Sequence, residues 1–159
     1  MSTITIKRLK YSHPDATTLR AAQQLEVSTL RPTSYGVPAT AANVPVFLVA
    51  YDGSEPIGCG GLRPLAEQGL PGQAEVKRMY VVPERRGRGA DECGSVAEMI
   101  LEALEDVARE NGWISLRAQT SKAMGQAMRF CEKHGFLRCE MYGHFKMNDH
   151  FVYYEKNLD

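Results

Sequence analysis

The sequence has no charge excess and no long apolar run. Its 19 Lys+Arg balance 19 Asp+Glu over 159 residues, whereas a general nucleic-acid binder needs a broad surplus of cations. No apolar stretch approaches the ~20 residues that span a bilayer. Residues 1–7 (MSTITIK) alternate polar and apolar, unlike the unbroken core of a signal peptide. Cys59, Cys93, Cys131 and Cys139 form no CxxC pair, which excludes a zinc ribbon and a thioredoxin-type site. The four histidines are widely spaced, so no metal site is expected. These absences point to a cytoplasmic chain with free thiols, no membrane partner and no nucleic-acid partner. A disulfide would require two cysteines to meet in the fold.

What is present describes an ordinary globular domain. Hydrophobic residues make up 43% and charged residues 24%, enough apolar surface for a core and too much for a disordered chain. The length suits one domain over residues 1–159. Residues 3–8 alternate with period two and predict a first strand. Pro14-Asp15 opens a helix to about Ser28, with Leu19, Ala22 and Leu25 available for one face. Residues 31–45 carry three prolines and read as a long loop, either a plain connector or a binding loop.

Val46 to Tyr51 is a buried-strand run followed by the Asp52-Gly53 turn signal. Ile57 to Leu65 returns, interrupted by Gly58, Gly60 and Gly61, which permit a bulge or close backbone approach. Glu75 to Val82 is the next strand. Val96, Ile100, Ala103, Leu104 and Val107 set a helical period that stops at Asn111-Gly112. Ile114, Leu116 and Ala118 alternate as a strand. Ala123 to His134 predicts a helix, and Phe136 to Cys139 and Phe151 to Tyr154 predict two final strands. The fold class is α/β (α+β): a mixed sheet flanked by helices.

The chemistry concentrates in EVKRMYVVPERRGRG, residues 75–89. A strand runs into an Arg/Gly loop and a helix follows. Glycines let backbone N–H groups converge, and a helix N-terminus adds positive potential, so such a loop suits a phosphate. Arg85, Arg86 and Arg88 add charge around it. The P-loop pattern is absent, and GxGxxG fails because Glu92 stands where the last glycine belongs.

Together with ILEALEDVARENGWISLRAQT, AMRFCEKHGF and MYGHFKMNDHFVYYEKNL, in that order, this segment resembles the GNAT superfamily of acetyl-CoA-dependent N-acetyltransferases. The likeness runs from about Val46 to Leu158. It implies a sheet splayed beside the strand that precedes the phosphate loop, with acetyl-CoA in the splay and an amine of a small molecule or peptide as acceptor. It implies that backbone groups of Arg86, Gly87, Arg88 and Gly89 hold the pyrophosphate, and that Met79, Tyr80 and Val81 run beside the pantetheine arm like an added strand. Val96 and Ala97 would complete the loop motif, and Phe130 opens the FCEKHGF stretch that matches the family's (L/F)YEKxGF. Monomer and homodimer both remain open.

Two departures stand out. Residues 90–95 intervene before the helix, either as a bulged loop or as a helix extension. An extension by six residues would turn the helix by about 600° and change its facing. Asp91 and Glu92 would repel a pyrophosphate unless they point away. Cys131 stands where the family has the tyrosine that protonates the departing thiolate. It either donates that proton or packs as a small apolar side chain. Tyr142, Tyr153 and Tyr154 are alternative acids.

The acceptor raises a larger problem. An alkyl amine of pKa ~10.4 is only about one part in a thousand neutral near pH 7.4, a cost of roughly 4 kcal/mol. Glu75 lies at the offset of the histone-acetyltransferase type's general base. It either takes the amine proton or pairs with Lys77 or Arg63. The N–H of Val81 is a candidate oxyanion donor, worth ~2.7–4 kcal/mol in that role. Glu26 is a candidate partner for a cationic acceptor. The competing reading is a non-catalytic acyl-CoA-binding module.

Overall fold

The computed structural model describes residues 3–28, 37–86, 95–142 and 150–158. Seven strands form one sheet: β1 (Ile4–Arg8), β2 (Val46–Asp52), β3 (Glu55–Pro64), β4 (Gln73–Val81), β5 (Ser115–Ser121), β6 (Leu137–Cys139) and β7 (Phe151–Asn157). Among the described residues three α-helices accompany it: α1 (Pro14–Val27), α2 (Val96–Glu110) and α3 (Gly125–Lys133). The strand order is β1-β2-β3-β4-β5-β7-β6. Every neighbouring pair is antiparallel except β4 and β5.

β2 is buried over six consecutive residues because both sheet faces are covered. Val46, Leu48 and Ala50 join the core under α2, while Phe47, Val49 and Tyr51 join the core under α1. Helix α2 turns Val96, Ile100, Leu101, Leu104 and Ala108 inward at helical spacing. It lies close to β3 because β3 offers no side chain there. A Cβ on Gly58 would stand 3.0 Å from Ile100, and one on Gly60 3.1 Å from it.

Ser95 caps α2: the Glu98 N–H donates to its hydroxyl oxygen at 3.1 Å. The helix therefore starts at Val96; residues 90–94 of the expected insertion lie outside the described residues. Asn111 and the left-handed Gly112 end it, as the Asn-Gly signal predicts.

Helix α1 departs from expectation. Its buried residues are Ala16, Leu19 and Val27, and Leu25 is 78% exposed. Six residues separate Leu19 from Leu25, about 240° round a helix. Ala22 is exposed as well. The inner face is completed instead by Gln23, whose amide donates to the Met79 carbonyl at 2.9 Å. Two boundaries also move. Ile114 lies before β5 and is exposed, and α3 starts at Gly125 because the chain from Ser121 to Met124 forms a turn closed by a Met124 N–H bond to the Ser121 carbonyl.

Candidate active site

β4 and β5 share only three rungs: Gln73 with Ser115, Ala74 with Leu116 and Glu75 with Arg117. Beyond Glu75 they part: among the described residues no further β4 residue pairs with β5. Beside the opening β4 carries a bulge. Cys59 opposes Tyr80 and Gly61 opposes Lys77, so Gly60 alone faces Arg78 and Met79. Arg78 has φ of +60°, a left-handed conformation held by a non-glycine residue. Its carbonyl accepts from the Cys59 thiol, and that of Met79 from Gln23. The glycines that suggested a bulge sit on β3; the strained residue is across from them on β4, where no sequence signal marked it.

At the last rung, charges alternate across four strands. Register pairs Arg63 with Glu75, Glu75 with Arg117 and Arg117 with Glu155. Glu75 is fully buried and Arg63 is 1% exposed. The Arg63 Nε and Nη2 donate to one Glu75 oxygen, Oε1, at 3.2 and 2.7 Å. Arg63 Nη1 donates to the Val37 carbonyl at 2.6 Å. Lys77 Nζ stands 3.7 Å from the same Oε1. Both cations weighed as partners of Glu75 are thus present, with Arg63 the closer.

The second oxygen of Glu75 accepts the hydroxyl of Tyr142 at 2.7 Å. Burial, reinforced by the Glu75 charge, pushes the Tyr142 phenol well above its usual range, so it remains a proton donor at neutral pH. Its ring meets Tyr153 edge-on at 5.5 Å and lies 5.4 Å from the Arg117 guanidinium. Arg117 is itself held by Gln73 and Glu155. A surface recess of about 520 Å³ borders Tyr142, with Gln68, Leu70, Arg117, Met141 and Glu155 among its lining residues.

The other candidates lie elsewhere. Cys131 is on α3, packed with Phe130 against the α2-side core, and burial pushes its thiol up to about 11. Tyr154 faces that side as well and donates to Glu132 of α3, whereas Tyr142 and Tyr153 cluster with Leu65 on the opposite face. Cys131 and the Glu75–Tyr142 pair are therefore on different faces of the sheet. Val96 is buried in the core, and Ala97 packs against it.

Along β4, Tyr80 points into the α1-side core. The Val82 N–H donates to the Ile57 carbonyl, so by strand alternation Val81 turns its backbone groups to the β5-side edge. Arg86 folds back: its Nε donates to the Val81 carbonyl at 2.6 Å, and its Nη2 pairs with Glu26 of α1 at 2.8 Å. Gly87, Arg88, Gly89, Asp91, Glu92 and Cys93 lie outside the described residues. Among the described residues, Cys59, Cys131 and Cys139 are free thiols.

Residues 43–138 match the family model for the acetyltransferase (GNAT) domain. The chain is 31% identical over 112 residues to the "IAA acetyltransferase" of Azospirillum brasilense, covering 70% of this chain and 67% of that protein. A structure from Klebsiella pneumoniae subsp. pneumoniae, named for acyl-CoA N-acyltransferase activity, superposes with a TM-score of 0.78 at 25% identity, over 100% of this chain and 99% of that one. The PaiA N-acetyltransferase of Thermoplasma acidophilum, solved in complex with coenzyme A, superposes with a TM-score of 0.68 at 16% identity, over 98% and 99% of the two chains. The parting of β4 from β5 and the family match over residues 43–138 agree, and the chain belongs to the GNAT acetyltransferase family.

Proposed function

We propose that this protein transfers the acetyl group of acetyl-CoA directly to a primary amine, and that Glu75 and Tyr142 carry the proton. The observation behind this reading is the Tyr142–Glu75 hydrogen bond at the last rung before β4 and β5 part. Acetyl-CoA, when bound, supplies an activated acyl thioester. The β5-side edge of β4 past Glu75 suits an amide-bearing arm, because the edge of a strand offers backbone donors and acceptors. Val81 presents its N–H on that edge as the oxyanion donor. Arg86 and the backbone through Gly89 form the phosphate site.

Glu75 is too enclosed to touch an amine, and both its oxygens are engaged. The route to it runs through Tyr142. The Tyr142 oxygen accepts the proton that the acceptor nitrogen sheds, while its own proton passes to Glu75 Oε2. Reversal of both transfers returns one proton for the departing thiol. The relay ends as it began, and such groups contribute typically 10²–10⁴-fold. The recess bordering Tyr142 supports an approach for the acceptor. The Val37 carbonyl flanks the same group through Arg63. Cys131 is read as a packing side chain.

The test is acetyl-CoA-dependent thiol release across amino acids, polyamines, aminoglycosides and lysine peptides, repeated with Tyr142→Phe. The reading expects turnover on one of these classes, with Tyr142→Phe losing about 100-fold or more in kcat at unchanged acetyl-CoA affinity. Binding of acetyl-CoA without turnover on any amine would identify a non-catalytic acyl-CoA-binding module instead.

A further inference from the structure

We propose that Arg63 is a positioning residue that ties residues 37–44 to the Glu75–Tyr142 pair, so that acceptor binding and proton transfer share one rigid joint. The inference rests on the proposed amine acetyltransfer. Arg63 directs its donors two ways. Nε and Nη2 both bind Glu75 Oε1, and Nη1 binds the Val37 carbonyl. Concentrating two donors on Oε1 leaves Oε2 to Tyr142. A fork-on-fork pairing would engage both oxygens and compete with the phenol.

The guanidinium is planar and rigid, so the separation of Glu75 from the Val37 carbonyl is set by its dimensions. The chain after Val37 is braced internally. Asn43 accepts from the Thr40 N–H at 2.8 Å and donates to the Pro38 carbonyl at 2.8 Å. The Val44 N–H donates to the Thr40 carbonyl, and Val44 is buried. Residues stiffened this way move as a unit, and Arg63 holds them at the Val37 carbonyl. A lysine would keep a cation beside Glu75, but its single nitrogen cannot also hold the Val37 carbonyl in the same geometry.

R63K and R63M separate the two roles. R63K is expected to raise the acceptor KM about 10-fold, the loss of one hydrogen bond from a charged donor, and to lower kcat by less than R63M does. Amide exchange at Asn43 and Val44, measured without substrates, should accelerate. R63M is expected to lose kcat about 100-fold as well, with acetyl-CoA affinity by calorimetry unchanged in both variants. If R63M does not fold, the R63K exchange and KM measurements decide. An R63K protein with wild-type acceptor KM and wild-type exchange at these amides overturns the proposal, as does a change confined to melting temperature. A wild-type protein that acetylates no amine overturns the functional reading, and this inference with it. Wild-type turnover with indifferent Arg63 variants overturns this inference alone.

Discussion

The guanidinium of Arg86 donates to the carbonyl of Val81 at 2.6 Å, so two groups expected to hold separate parts of one acyl-CoA are bonded to each other. Arg86 is the first residue of the phosphate-loop motif, and Val81 is on the edge expected to run beside the pantetheine arm. Glu26 completes the arrangement from α1. An arm paired along this edge competes with Arg86 for the Val81 carbonyl, and the Glu26 charge favours the folded-back position.

Removing that charge should therefore help acyl-CoA. Glu26→Gln is expected to tighten acetyl-CoA binding by about 2- to 5-fold, the scale of a half-exposed ion pair. Calorimetric titration of the two proteins checks it. An unchanged or weakened affinity would mean that Arg86 keeps its place when the arm binds.

The two adjacent glycines of β3 should respond differently to a methyl group. A Cβ on Gly61 would lie 2.8 Å from the Val46 carbonyl oxygen and 2.9 Å from both Phe47 and Val44. Backbone on the neighbouring strand cannot swing aside, so Gly61→Ala should lose about 1–3 kcal/mol, with about 2–4 °C of melting temperature for each. On Gly60 the nearest atom is the Met79 sulfur at 2.6 Å, on a flexible side chain. Gly60→Ala should lose less, and thermal melts of both variants test the order.

Stability should decline in alkali. Burial pushes the Cys59 thiol from 9.0 up to about 12 and that of Cys131 from 9.0 to about 11, and the Tyr142 phenol is held well above 10.0. The unfolded chain releases these protons at lower pH than the folded one. Their contribution is therefore complete below about pH 9 and shrinks as pH rises toward 11–12. Urea midpoints under reducing conditions should fall as the pH is raised from about 9 to 10.5. A flat profile would contradict the burial of these groups.

Cys131→Ala separates packing from proton donation. If Cys131 only packs beside Phe130, the substitution lowers the melting temperature through the small void it leaves and keeps kcat within about 3-fold. A fall of the 10²-fold order associated with a catalytic acid would restore Cys131 to the reaction and displace Tyr142.

Local pattern made much of this fold legible. The six-residue apolar run of β2, the helical period of α2 and the Asn-Gly stop after it all correspond to observed elements. What pattern could not supply was partnership across strands. Glu75 had two cations to choose from, and the β3/β4 register puts Arg63 opposite it. Tyr142 is 67 residues from Glu75, and no spacing rule links them. The Arg78 bulge was hidden because arginine does not advertise a positive φ, and α1 misled because Gln23, a polar residue, occupies the inner face where Leu25 was expected.

The place of β7 bears on how the molecule is made. Residues 151–157 lie between β5 and β6, so these two strands have no shared ladder until β7 joins them. A nascent chain halted before Phe151 leaves β5 attached by three rungs to β4 and leaves β6 without its partner. The wing carrying Arg117, and with it the Glu155 that pairs Arg117, is therefore completed after the β1–β4 half has left the ribosome. Through that interval β5 is an unprotected edge, the kind of surface on which incomplete chains pair with one another.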